Sequence, residues 1–338
     1  MDVATQSLGR KTLKILGKQK AVVAVGVILL IMLVPRIVGG SNIFTRSHLE
    51  ALLVVASPDL VIAFGVTFAV ICRACDLSVG SVMCLSGILA IQMINSGVPV
   101  FVAVILAILS GTVIGFINGF LVVQQKTEAF IITLGMGLLL KGVCLYITNA
   151  RPVQTRDQVF NSISNSTILG LPSIVVYMLI VGVLAFCLLR FTSFGRNCYA
   201  LGGDYEVAEH SGINVIRTKW CAFVITGTCA AIAGVLLSSR LNTGSAIYGD
   251  LTPLLVNCSV VIGGTSFAGG IGGVIQSGLG ITVMHLLRYS MRLFRLEGLL
   301  PSGELTINQY AQTLVFGIVI VSIIAMDCYT IKRKKEDV

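Results

Sequence analysis

The chain has 338 residues and a formal net charge of +9, yet only 12% of its residues are charged and 55% are hydrophobic, against roughly 25% charged in a soluble globular chain. With a mean hydropathy of +0.94 it has too few charges to cover the surface of a soluble protein, so a soluble fold and disorder are both excluded. The basic residues are not gathered on a face with interleaved aromatics, which argues against nucleic acid as a partner.

Residues 21–34, 98–123 and 168–189 are apolar on every face and long enough, at about 1.5 Å of rise per residue, to cross about 30 Å of hydrocarbon. A β-barrel would need short segments alternating apolar and polar residues. The expectation is therefore an all-α, polytopic integral membrane protein. Ten transmembrane helices are predicted, at 21–38, 50–71, 77–94, 98–123, 129–148, 169–189, 219–238, 253–267, 268–287 and 309–330. The first follows a basic stretch, as in a signal peptide, but no A-x-A cleavage site comes after it, so it reads as a retained helix.

Segments 77–94 and 253–267 are the weakest spans. Asp76 stands at the mouth of one and the other is short, so each is also compatible with a broken or re-entrant helix. Basic clusters lie at 10–20 and 332–335, and under the positive-inside rule they place both termini in the cytoplasm. The resulting topology puts 15 Lys and Arg inside and eight outside. The domain reading is a basic cytoplasmic N-terminus at 1–20, one membrane domain at 21–330, and a basic cytoplasmic tail at 331–338. No hydrophilic stretch is long enough to fold by itself.

Glycine punctuates the apolar runs. Gly111, Gly115 and Gly119 form a small-residue stripe for close helix packing. Gly263, Gly264, Gly269, Gly270, Gly272 and Gly273 are too dense for a regular helix and predict a break inside an apolar tract. The ten cysteines are scattered through apolar runs and read as small hydrophobes. Cys72 and Cys75 make a C-x-x-C with no second pair near it, so no metal site is expected, and no cofactor.

The sequence has no G-x-x-x-x-G-K-[ST], H-E-x-x-H or G-x-S-x-G, which argues against catalysis by this chain. His48, His210 and His285 are isolated in sequence and read as loop or interfacial side chains. A many-span protein without a catalytic constellation is expected to move a solute, driven by an ion gradient or by another subunit. The buried charges available to a gradient-driven carrier are Asp59, Asp76, Lys141 and Asp327. Asp59 and Lys141 fall at similar depth and are the candidate intramembrane ion pair.

The hydrophilic stretch 190–218 favours another subunit. After the Gly202-Gly203 turn, Asp204 stands as the N-cap of a short helix, Glu206 and Glu209 lie where the helix dipole favours anions, and Gly212 stands where a C-cap glycine ends it. Such a helix is marginal alone, so it calls for a docking partner.

These residues lie among motifs that resemble the permease subunits of bacterial ATP-binding-cassette importers for monosaccharides, the ribose, xylose, galactose and autoinducer-2 group. Asp76-Leu77-Ser78-Val79-Gly80-Ser81 is similar to that family's I-D-L-S-V-G-S, and Gly115-Phe116-Ile117-Asn118-Gly119 to its G-x-x-N-G. Residues 129–136 resemble A-F-I-x-T-L-G-M, 148–152 resemble T-N-G-R-P, 211–215 resemble S-G-I-N-V, and 263–270 resemble G-G-T-S-x-x-G-G. Six motifs in the right order span most of the chain.

The resemblance implies that the loop containing Gly203, Asp204, Glu206, Ala208, Glu209, Ser211, Gly212 and Ile213 docks on a separate ATPase subunit. It also implies an extracytoplasmic solute-binding protein and a second permease chain, in the lipid of the bacterial cytoplasmic membrane. The family's two glycines before the first motif are Arg73-Ala74 here, which adds a cation beside Asp76 in sequence.

The expected function is thus the transmembrane subunit of an ATP-driven importer for a sugar or sugar-like solute, with a path lined by Asp76, Ser78, Asn118, Thr133 and Asn257. The competing reading is a stand-alone gradient-driven carrier or facilitator built on Asp59 and Lys141.

Overall fold

The structure is a computed structural model that describes residues 45–125 and 127–293, together with 295, 296, 305, 306, 314, 317, 318 and 321. The expected first span, both basic tails and all but four residues of the expected last span lie outside these.

The described chain is helical: α1 (Arg46–Ile71), α2 (Val79–Asn95), α3 (Val100–Gln124), α4 (Ala129–Thr148), α5 (Gln158–Asn165), α6 (Ser173–Phe191), α7 (Ser193–Gly203), α8 (Tyr205–His210), α9 (Val215–Leu241), α10 (Thr252–Ile262) and α11 (Val274–Leu293). Two-residue strands make three antiparallel pairs among the described residues. Val153–Gln154 (β1) pairs with Thr243–Gly244 (β4), Thr167–Ile168 (β2) with Leu171–Pro172 (β3), and Arg295–Leu296 (β5) with Leu305–Thr306 (β6). The turns carrying β1 to β4 define one end of the bundle, here the strand end. Segments 72–78, 125–128, 192–214 and 263–273 lie at the opposite end.

Five of the described helices, α1, α3, α4, α6 and α9, are long and apolar enough to cross a membrane. Burial sorts them. Within its most apolar stretch α1 is 83% buried and α9 is 67% buried, against 28% for α3 and α6 and 17% for α4. An apolar helix buried on most sides is a core element and one buried on a single stripe is peripheral, so α1 and α9 form the centre.

The α3–α9 contact realises the glycine stripe. A Cβ at Gly115 would lie 2.4 Å from the Phe223 carbonyl oxygen, and one at Gly111 2.5 Å from Ala231 Cβ. Only hydrogen at these positions lets the two backbones come this close.

In α1 the helix runs through Pro58, which cannot donate to the carbonyl four residues back. That carbonyl, Val54, accepts from Arg240 Nη1 of α9 at 3.4 Å. A neighbouring helix thus satisfies the group that proline frees.

The expected span at 253–267 is corrected. Helix α10 has 11 residues, about 17 Å of rise, and cannot cross about 30 Å of hydrocarbon. The predicted glycine break takes the remainder. Gly264, Gly269, Gly270 and Gly272 all have positive φ, and residues 263–273 are non-helical until α11 begins at Val274. Helix α2 has 17 residues and is also preceded by a non-helical stretch, 72–78.

Candidate functional site

The joint between α1 and α2 collects the polar side chains. Asp76 is 1% exposed, and its Oδ1 accepts from Ser78 N at 2.8 Å and from Ser78 Oγ at 2.7 Å. Because the Ser78 hydroxyl donates to the carboxylate, its oxygen is free to accept, and Asn118 Nδ2 of α3 donates to it at 2.8 Å. Thr133 of α4 holds the same stretch from the other side. Its Oγ1 accepts from Leu77 N at 3.0 Å and lies 2.8 Å from the Ala129 carbonyl, to which it donates.

Asn257 of α10 donates through Nδ2 to the Asp76 carbonyl at 3.0 Å and to Pro253 O at 2.8 Å, and its Oδ1 accepts from Cys75 Sγ at 3.3 Å. Four separate elements thus bring Asp76, Ser78, Asn118, Thr133 and Asn257 into one connected knot, each residue buried. Asn118 Oδ1 is buried without a hydrogen-bond partner.

Helices α7 and α8 sit beneath this joint. Thr192 caps α7 by accepting from Gly195 N at 3.2 Å. Asp204 caps α8, as its place in the sequence predicts, accepting from Val207 N at 3.0 Å. Gly212 takes the left-handed conformation, φ 80°, just past the end of α8. Ala208 is buried and Ile213 half-buried, while Gly203, Asp204, Tyr205, Glu206, Val207, Glu209, Ser211 and Gly212 are exposed. Helix α8 is pinned by one small residue and presents the rest of its surface outward.

Arg73 connects the two layers. It is a non-glycine residue at φ 57°, and its Nε donates to Gly202 O at 2.8 Å while Nη2 donates to Gly203 O. The last carbonyls of α7 are the acceptors that favour a cation. Gly270 N donates to Ile71 O at 3.0 Å, and a Cβ at Gly202 would fall 1.8 Å from Ile71 O. The end of α7, the end of α1 and the glycine break are therefore in backbone contact. Tyr199 adds a fourth tie, its hydroxyl donating to Gly272 O at 2.8 Å, and burial pushes its phenol above the ordinary value.

Two sequence expectations are corrected. Asp59 and Lys141 do not pair. Asp59 Oδ2 lies 2.9 Å from His285 Nε2 of α11, and Lys141 Nζ lies 2.7 Å from Asp250 Oδ1. Equal depth along two helices does not make them neighbours, because α1 is central and α4 peripheral. His285 is isolated in sequence but not in space, and His48 likewise meets the Tyr289 hydroxyl. Arg73, the cation close to Asp76 in sequence, turns its guanidinium to the carbonyls of α7. Asp250 was missed because residues 239–252 read as an exterior loop, although an acid directly before an apolar run was visible.

Long apolar helices packed with two short ones, α2 and α10, with polar side chains gathered at the non-helical joint before α2, define the class of helical membrane transport proteins. Within that class residues 48–324 match the family described as branched-chain amino acid transport system, permease component, and the chain belongs to that family. It is 33% identical to a ribose import permease protein of Haemophilus influenzae, over 92% of this chain and 93% of the relative. It is 31% identical to a D-allose transport system permease protein of Escherichia coli, over 84% of each. It is 29% identical to an L-arabinose transport system permease protein of Escherichia coli, over 87% of this chain and 86% of the relative.

Proposed function

We propose that this chain is the transmembrane permease subunit of an ATP-driven importer, carrying a sugar or sugar-like small polar solute across the bacterial cytoplasmic membrane while ATP is hydrolysed on a separate chain. Relatives named for ribose, allose and arabinose transport support the solute class. The full topology in this reading has ten membrane-entering segments with both termini cytoplasmic. Its partners are an ATPase subunit, an extracytoplasmic solute-binding protein and a second permease chain.

The observation that carries the mechanism is the position of α8. Its outward face, Asp204, Glu206, Glu209, Ser211 and Gly212, is the docking surface for the ATPase. Its inward residue, Ala208, and the half-buried Ile213 transmit displacement to α7, which ends at Gly203. Arg73 grips the last carbonyls of α7, so movement there pulls the joint 72–78 and with it the Asp76, Ser78, Asn118, Thr133 and Asn257 knot. In the state described here the knot is closed on itself. When ATP-driven closure of the partners shifts the joint, these five side chains exchange mutual hydrogen bonds for the solute path. Because Asp59 and Lys141 belong to different pairs, a gradient-driven mechanism built on the two together is not carried forward.

Reconstitution with and without an ATPase partner tests the reading: uptake is expected to follow ATP and not a proton gradient. Deleting residues 204–211 is expected to abolish ATPase binding while the membrane domain stays folded. Retained binding, or solute accumulation by the chain alone, overturns the assignment.

A further inference from the structure

The knot around Asp76 is closed, so solute meeting this state must touch other polar groups. The Lys141–Asp250 pair is more exposed than the Asp59–His285 pair. Its side chains are 37% and 42% exposed, against 5% and 17% for His285 and Asp59.

Its depth follows from helix geometry. Gln92 of α2 donates to the Ile147 carbonyl, near the strand end of α4. Gly80, twelve residues earlier and thus about 18 Å further in at 1.5 Å per residue, packs on Gly249 so closely that a Cβ would come 2.2 Å from the Gly249 carbonyl oxygen. Asp250, the next residue, is held at that level. Lysine can reach toward water along its stem, but an aspartate one methylene long cannot.

Residues 245–251, which bring Asp250 to this depth, are non-helical. Irregular backbone at membrane depth does not face lipid; it is buried in protein or lines water. The same holds for an ammonium and carboxylate pair, which is costly against hydrocarbon. Exposed apolar side chains flank it, Tyr248 and Leu251 on the same segment, Leu254 on α10 and Leu138 on α4. An apolar wall with two oriented polar groups is the usual make-up of a small-molecule site.

We propose that Lys141 and Asp250 are specificity-determining residues on the wall of the solute pathway, contacting a neutral polyhydroxylated solute. The carboxylate accepts from its hydroxyls and the ammonium donates to its oxygens. The solute class rests on the importer reading, whereas the exposure of the pair to water does not.

The test has two arms. In membrane vesicles, full-length Lys141→Cys, Asp250→Cys and a peripheral comparison on α6, Val183→Cys, are treated with a membrane-impermeant trimethylammonium methanethiosulfonate. Labelling of the unsubstituted chain is subtracted. Thiols at 141 and 250 are expected to react about tenfold or more faster than the thiol at 183, which faces lipid. Rates no faster than at 183 overturn the proposal, and show the pair covered by lipid or by a second copy of this chain.

The second arm measures uptake of D-ribose, D-allose and L-arabinose by the importer assembled with its ATPase and binding protein, for Asp250→Asn and Lys141→Met. A solute contact changes the ratio among the three sugars, by roughly tenfold for a lost charge-assisted hydrogen bond. A purely structural pair lowers all three alike, and that result overturns the proposal. If the unsubstituted importer takes up none of the three, the sugar reading fails and the labelling arm still decides the water-facing wall.

Discussion

At the scale of single residues the protein uses hydrogen where a methyl group would not fit. Gly115→Ala drives a Cβ toward the Phe223 carbonyl and is expected to lower stability by about 1–3 kcal/mol. Gly142, also within a helix, has nothing within 4 Å of its virtual Cβ. Gly142→Ala is therefore expected to stabilise by up to about 1 kcal/mol through helix propensity. Thermal unfolding in detergent distinguishes the two, and equal shifts would refute the packing argument.

The Asp59–His285 pair makes a similar forecast. His285→Ala strands a largely buried carboxylate and is expected to cost about 1–3 kcal/mol, most of which Asp59→Asn in the same chain should restore. Strict additivity of the two changes, measured the same way, would dissociate the residues. The stripe at 111, 115 and 119 was legible in sequence because its meaning depends only on helical spacing. The partners of Asp59 and Lys141 were not, since the residues that meet them lie 226 and 109 positions away.

At the scale of elements, the joint 72–78 combines one left-handed residue with the buried polar knot around Asp76. Arg73 pairs a left-handed backbone with two hydrogen bonds to α7, so its two roles separate by substitution. Arg73→Gly removes the grip and relieves a conformation costing of order 1 kcal/mol, while Arg73→Ala removes the grip and keeps the strain. Both are expected to reduce ATP-dependent uptake roughly tenfold, with the glycine variant melting at the higher temperature. Unchanged uptake in both would remove Arg73 from the transmission path.

The long helices α1, α3, α4, α6 and α9 were legible because runs apolar on every face admit one reading. Helix α10 was overextended, because glycines 263 and 264 are small enough to pass as part of an apolar run. The descent at 245–251 was missed for the opposite reason: its composition is that of a loop, and composition does not report depth.

For the whole molecule, burial divides the helices into a core pair, α1 and α9, and a rim of α3, α4 and α6. A lipophilic photoactivatable probe dissolved in the bilayer is expected to modify the rim helices at Phe101, Leu109 and Leu184, all exposed apolar residues, and to leave Phe68 and Phe223 of the core pair untouched. Modification of the core pair at rim levels would contradict this arrangement. That the chain lies in a membrane was readable from charge alone. Which helices stand inside the bundle was not, because all five are uniformly apolar and only their neighbours distinguish them.

The Asp76 knot also constrains how the protein is made. Asn257, which clasps the Asp76 carbonyl, is encoded 181 residues downstream, so at about 5–20 residues per second of synthesis it emerges some 10–40 s later. Until then the nascent polypeptide holds a polar joint that lacks its α10 clasp.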